Sequence, residues 1–363
     1  MKTYLTAGLG LLLAVSQSAA FAAADTSAGA DELLAKGRMA MDKGKFKQAA
    51  DTFREAIRVA PDNARAHANL GAALAALHDL EETIGNKEAA ENSYQTAILE
   101  EKQAMKLDAN YSTPHIVLGQ IYANQSKSAD AIAEFKQALV IKPSNFKAQL
   151  DLGIAYLTTG DLDNSITAFK EAEKINPKDP VPHVNLGILL DKKGNHKEAI
   201  TEEQEAINLS PKFYDAYVNL GNIYLDSGDN DNAKQYFEKA LKMAPGHPNA
   251  LSGLGWALAQ KNFVKEGIAK QRQAIKSYPG FIPAHTRLAM LLAESGDKSA
   301  ADAEFKEALK ISPKDLAAGT EYGRFLAKTG QTEQAKSQFK KVLEINPQFE
   351  PAKRGLASLE NAK

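Results

Sequence analysis

The sequence predicts an all-α chain, an α-solenoid of about nine helix hairpins closed by a C-terminal capping helix. Three observations predict it. Small residues recur with a 34-residue period: with Gly37 as the eighth position of a unit, the eighth positions are Gly71, Gly119, Gly153, Gly187, Gly221, Gly255, Ala289 and Gly323, with one longer gap. The same frame places Ala, Ser or Gly at position 20 of every unit. It also places Ala at position 27 of all units but the last, which has Val342, and Pro at position 32 of all but the second, which has Ala109. Finally, each period holds two stretches of helical apolar spacing divided by a turn, as in Tyr217, Leu220, Gly221 and Tyr224, then Gly228-Asp229, then Ala233, Phe237, Ala240 and Leu241. A chain of 363 residues exceeds the size of one ordinary core, a limit that a repeat array escapes because each unit buries itself against its neighbours.

Residues 1–24 have the order of a bacterial secretory signal peptide: Lys2, an apolar run from Leu5 to Val15, then Ala20-Phe21-Ala22 with small residues at its first and third places, with cleavage expected between Ala22 and Asp25. The run is shorter than the roughly 20 residues of a spanning helix, so removal is favoured over a retained anchor. The expected location is periplasmic or secreted. Residues 25–29 read as a short linker. Hairpins follow at 30–63, 64–111, 112–145, 146–179, 180–213, 214–247, 248–281, 282–315 and 316–349, and 350–363 read as the capping helix. The second hairpin is longer by about 14 residues. Its apolar stripe continues through Leu74, Leu77, Leu80 and Ile84, turns at Gly85-Asn86 and returns through Ala90, Tyr94, Ala97 and Ile98, so both of its helices are expected to extend by about two turns into an arm.

This spacing resembles the tetratricopeptide repeat, TPR, whose motif carries a large residue at position 4, Leu at 7, Gly or Ala at 8, Tyr at 11, Ala at 20, an aromatic at 24, Ala at 27 and Pro at 32. The resemblance covers nine repeats from Ala30 to Phe349. It implies a right-handed superhelix, with Phe53, Phe135, Phe169, Phe237, Phe305 and Phe339 as the aromatics at 24. Glu101, Glu203 and Gln271 depart from it in repeats two, five and seven. With Gly267 also at position 20, repeat seven is expected to be the softest joint.

Composition excludes several classes of function. Forty-four Lys plus Arg against 45 Asp plus Glu give a formal net charge of −1, about −2 once Lys2 is removed, with no basic run interleaved with aromatics, so nucleic acid is not an expected partner. Cysteine is absent, which removes disulfides, thiolate metal sites and Cys nucleophiles. No HExxH, phosphate loop or GxSxG elbow occurs. His67, His115, His183 and His285 all stand at position 4 of separate repeats, too far apart to share a metal, and read as packing imidazoles. Acidic pairs such as Glu202-Glu203 read as a solvated outer face. The chain is expected to be no enzyme and to carry no cofactor or metal, and no segment after the leader suits a bilayer.

In the TPR family the first helices line the concave surface through positions 2, 5, 6, 9, 12 and 13. In repeats four to seven the resemblance therefore implies a peptide-binding groove of Lys147, Leu150, Ile154, Leu157, Val184, Asn185, Ile188, Val218, Asn219, Asn222, Leu225 and Trp256, with Val181, Asp191 and Gln260 beside them. Such apolar character at open positions suits a protein or peptide partner. Burying about 400 Å² of it is worth on the order of 10 kcal/mol before ordering costs. The carboxylate clamp of some TPR proteins is missing, since Val218 and Gly253 replace its Lys and Asn. Coverage by neighbouring helices, by the chain's own last helix or by a second array are the competing readings. The expected function is a noncatalytic scaffold in the bacterial envelope; the alternatives are a self-associating structural protein and an accessory subunit of an envelope polysaccharide machine.

Overall fold

The structure, a computed structural model, describes residues 28–360; the expected leader at 1–24, residues 25–27 of the expected linker and residues 361–363 of the capping segment lie outside them. Every element among the described residues is a helix. In the N-terminal unit, which ends at Lys178, these are α1 Ala28–Asp42, α2 Phe46–Val59, α3 Ala64–Thr83, α4 Lys87–Leu107, α5 Thr113–Asn124, α6 Ser128–Ile141, α7 Phe146–Thr159 and α8 Leu162–Ile175. The C-terminal unit begins at Asp179 and holds α9 Pro180–Lys192, α10 His196–Leu209, α11 Tyr214–Asp226, α12 Asn230–Met243, α13 Pro248–Gln260, α14 Val264–Ser277, α15 Ile282–Glu294, α16 Lys298–Ile311, α17 Leu316–Lys328, α18 Thr332–Ile345 and α19 Glu350–Glu360. The expected linker at 25–29 ends inside α1, which begins at Ala28.

Local chemistry sets these boundaries. Several first helices start on an Asn or Asp whose side chain accepts from backbone N–H groups of the opening turn, as Asn63, Asn145, Asp179 and Asp315 do. The turn within a hairpin needs one left-handed residue at position 15. Gly44, Gly160, Gly194, Gly228, Gly296 and Gly330 supply it with φ between 67° and 88°, while Ser126 and Asn262 adopt it in repeats three and seven. Second helices end ahead of the prolines, which cannot continue a helix hydrogen-bond ladder.

Within each unit every hairpin pairs its two helices, and the second helix packs on the first helix of the next repeat. First helices also pack directly on one another, α3 on α5 and α5 on α7 in the N-terminal unit, α9 on α11, α11 on α13 and α13 on α15 in the C-terminal unit. They therefore form the inner layer of each unit. In repeat two, α3 and α4 run to 20 and 21 residues, against 12 to 15 elsewhere in the hairpins, and turn at Gly85.

Candidate functional site

The frame behind the inner layer is built at positions 8 and 24. The six phenylalanines at 24 are fully buried, and most of them face a glycine. A Cβ on Gly221 would stand 2.6–2.8 Å from three atoms of the Phe237 ring, so only hydrogen fits there. The three departures at position 24 are as deeply buried as the phenylalanines: Glu101, Glu203 and Gln271 are all inside. Glu203 thus corrects the reading of Glu202-Glu203 as a solvated face, because position 24 points at the helix partner whatever its residue type. In repeat seven, expected to be soft, α13 and α14 meet backbone to backbone: a Cβ on Gly267 would lie 2.7 Å from the Gly255 carbonyl oxygen, and Gln271 Nε2 donates to the Ser252 carbonyl at 2.9 Å.

The position-4 histidines are tied into a repeated brace. Their Nδ1 atoms lie 2.6–2.8 Å from glutamates at position 23 of the same repeat, in the pairs His67–Glu100, His115–Glu134, His183–Glu202 and His285–Glu304. On the other side, Nε2 of His67 and of His285 meets the carbonyl of the preceding repeat's proline, Pro61 and Pro279, at 2.9 Å. Both nitrogens of His285 thus face acceptors, and the hydrogen bond with Glu304 raises its pKa above the usual imidazole value against the opposing effect of burial. In repeat six Tyr217 and Tyr236 take these two positions, and the Tyr217 hydroxyl donates to the Pro211 carbonyl. A signal for the brace was present in the sequence. Every repeat with His at 4 has Glu at 23, and the other five have Thr52, Ala168, Tyr236, Lys270 or Gln338 there. No group of His, Asp and Glu among the described residues has the arrangement of a metal site.

The predicted groove residues fall in both units. Lys147, Leu150, Ile154 and Leu157 lie on α7 in the N-terminal unit, where Lys147 pairs with the buried Asp151 at 3.3 Å and Asp151 accepts from Gln120 Nε2 at 2.6 Å. The other eight lie on α9, α11 and α13 in the C-terminal unit. Two of these, Val184 and Val218, are not open: they are 7% and 2% exposed, inside the clusters around Leu220 and Phe237. Position 5 points between neighbouring helices here and supplies core. Ile188, Asn222, Leu225 and Trp256 are half-buried and form the open part of the face. Asn185 donates to the Val181 carbonyl of its own helix, and Asn219 Nδ2 donates to Glu203 Oε1 at 2.8 Å, so both amides are committed internally.

Charge enters this face through residues that the groove prediction omitted. The Arg287 guanidinium on α15 lies 5.9 Å from the Trp256 ring centroid, and its Nη1 donates to Ser252 Oγ at 3.2 Å. Burial pulls its pKa down from the usual value, with Asp226 opposing the shift. Asp226 is itself raised, by burial first and then by Asp191, with Arg287 and His196 acting the other way. Arg287 is at position 6 of repeat eight, one repeat beyond the predicted groove. The capping helix α19 packs on α17 and α18, at the end of the C-terminal unit, away from α9, α11 and α13. A cavity bordered by Glu238, Leu241, Lys242, Leu254, Leu258 and Lys270 shares no residue with the face. Among the described residues no helix is long and apolar enough to cross a membrane.

Profiles of the tetratricopeptide repeat match residues 214–247 and 282–315, 116–180 and 300–359, and a TPR repeat profile matches 37–77 and 189–228, together more than half of the chain. No curated protein matches the chain in sequence. Among solved structures, a tetratricopeptide repeat protein from Parabacteroides merdae is 18% identical at a TM-score of 0.60, covering 69% of this chain and 99% of its own. The human IFIT1 dimer with m7Gppp-AAAA is 17% identical at 0.60, covering 92% and 81%. The APC/C hetero-tetramer Cut9–Hcn1 is 19% identical at 0.57, covering 82% of this chain; the chain spans about half, 55%, of the length it matches there. At these identities the likeness carries the fold and leaves the partner to the site.

Proposed function

The chain belongs to the tetratricopeptide repeat family, and from that premise we infer that it is a noncatalytic scaffold that holds a peptide or partner helix on the inner face of α9, α11 and α13. Proteins of the family bind protein or peptide partners. The observation that carries the reading is the open stripe of Ile188, Leu225 and Trp256, interrupted by the amide of Asn222 and flanked by Arg287 and Asp226. Apolar anchors would supply affinity, and the polar groups would orient a peptide backbone. With Val184 and Val218 already in the core, about 200 Å² of apolar surface remains to bury, on the order of 5 kcal/mol gross, which by itself points to binding of about 0.1 mM or weaker. On α7 of the N-terminal unit, Leu150, Ile154 and Leu157 form a comparable half-buried stripe. Replacing Ile188 and Trp256 together by Asp is expected to abolish partner capture with helix content unchanged. Photocrosslinking from positions 188 and 256 in intact cells, read by mass spectrometry, identifies the partner; capture retained by the double variant refutes the assignment.

The scaffold is proposed to work in the bacterial envelope, periplasmic or secreted, on the strength of the leader at 1–24. Cell fractionation with sequencing of the mature N-terminus tests this, and a mature chain that still begins at Met1 would count against it. A second reading, self-association, is favoured by the arm of repeat two, where Leu80 and Ile84 stand 45% and 69% exposed one turn apart. Sedimentation showing a monomer at every concentration would remove that reading.

A further inference from the structure

Two carboxyl groups occupy the place where six repeats keep a phenylalanine. Glu101 on α4 and Glu203 on α10 are 0% exposed, each against the glycine at position 8, Gly71 and Gly187. Among the described residues neither oxygen of Glu101 has a hydrogen-bond partner, and Glu203 has one, the amide Nδ2 of Asn219, on Oε1 only. The charges acting on Glu203 are all negative: Asp215 on α11, Asp191 on α9 and Glu202 on its own helix. Glu101 meets Glu100 on its own helix, and it acts in turn on the Tyr111 hydroxyl, which Arg65 and Arg38 also influence. Burial first, helped by these anions and on Glu203 opposed by the Asn219 hydrogen bond, holds both carboxyl groups well above the usual carboxylate range. Repeat seven offers a comparison inside the same chain: Gln271, the neutral isostere of Glu, is equally buried in the same place, with its Oε1 also unpartnered. The slot therefore accepts a neutral, Glu-shaped side chain.

We propose that Glu101 and Glu203 are built-in pH sensors: held as neutral acids inside repeats two and five, they ionise as the medium turns alkaline, and the buried charge loosens the hairpin that carries it. In repeat five the effect reaches the inner face through Asn219, and this last step rests on the binding role of that face. For a group whose proton is held more tightly in the folded chain, the stabilisation is complete below the unfolded value near 4.5 and is lost as pH rises through the folded value. The brace of His285 and Glu304 weakens in the same direction, so the test is differential.

The experiment uses the full chain labelled with ¹³C at glutamate carboxyls, as wild type and as Glu203→Gln and Glu101→Gln. The resonance lost in each variant is followed from pH 4 to 9, together with amide hydrogen exchange of α10 and α4 corrected for intrinsic rates. The expected result is a carboxyl that keeps its proton well above the usual carboxylate range, and a fall of about tenfold or more in wild-type protection between the unfolded value and the pH at which it ionises, reduced to about twofold or less in the Gln variants. Ionisation near the ordinary value, or equal falls in wild type and variants, overturns the proposal. Should a Gln variant fail to fold, Glu203→Met and Glu101→Met provide the same comparison. The Asn219 side-chain ¹⁵N resonance, which needs no ligand, is expected to shift with Glu203. If it does not, the link to the inner face is wrong, whereas a failure of the Ile188 and Trp256 variants to lose capture would leave the sensor standing.

Discussion

Gly253 offers the sharpest test of how the inner layer is held. It stands at position 6 of repeat seven, inside α13, where helix propensity alone makes Gly253→Ala a gain of about 1 kcal/mol. The packing predicts the opposite sign. A Cβ at 253 would come within 3 Å of three atoms of the Phe237 ring, and that ring has little room to retreat, because Gly221 of its own repeat backs it so closely that a Cβ there would lie 2.6–2.8 Å away. Overpacking of a closed core costs about 1–3 kcal/mol, and with three close atoms the upper end applies, after subtracting the propensity gain a net loss of about 1–2 kcal/mol. Phe237→Leu opens the space at a cost on the order of 1–2 kcal/mol for the volume it leaves. In that background Gly253→Ala is expected to recover its gain of about 1 kcal/mol, so the cycle should close with a coupling of about 2–3 kcal/mol. Because a repeat array does not unfold as one two-state body, the readout is native-state hydrogen exchange of α12 and α13, supported by urea unfolding. A stabilised Gly253→Ala with additive effects would falsify the claim that the ring determines glycine at 221 and 253.

Three further outcomes follow from the same frame. Ser126 adopts φ 60° at the position where six repeats place glycine, so Ser126→Gly is expected to raise stability by about 1 kcal/mol in local exchange of α5 and α6, and Asn262→Gly by less, since Asn tolerates that conformation. Glu304→Gln should cost about 1.5 kcal/mol at pH 6, the low end for a hydrogen bond to a charged group; because the His285 pKa is raised, the loss is full below the usual imidazole value and fades as pH rises through the folded one, which thermal melts at pH 6 and 9 would reveal. Phe305→Ala, emptying a fully buried site, is expected to cost about 3–5 kcal/mol in α15 and α16 and to leave exchange in α9 unchanged, the signature of nearest-neighbour stability.

The hairpins and their order were legible because what specifies them is local: a glycine at position 15 for the left-handed turn, proline at 32 to stop the second helix, and small residues where two helices of one repeat cross. The length of α3 and α4 could be read for the same reason, since an uninterrupted apolar stripe from Leu74 onward continues a helix. The binding face was legible only in part. Ile188, Leu225 and Trp256 are open on it, but Val184 and Val218 were assigned to it and belong to the core, while Arg287 and Asp226 were passed over. Exposure at these positions depends on side chains from the next repeat, and a motif position carries no record of them.

The residue type of Glu203 suggested water, yet its place in the repeat determined burial, because position 24 is aimed at the paired helix before any solvation preference acts. From the sequence alone came the period, the helices and the family, all consequences of short-range sterics and helical spacing. Tertiary packing decided which apolar side chains stay open, which glutamates lose solvent and which histidines gain a carboxylate, since each of those depends on atoms brought together from different helices.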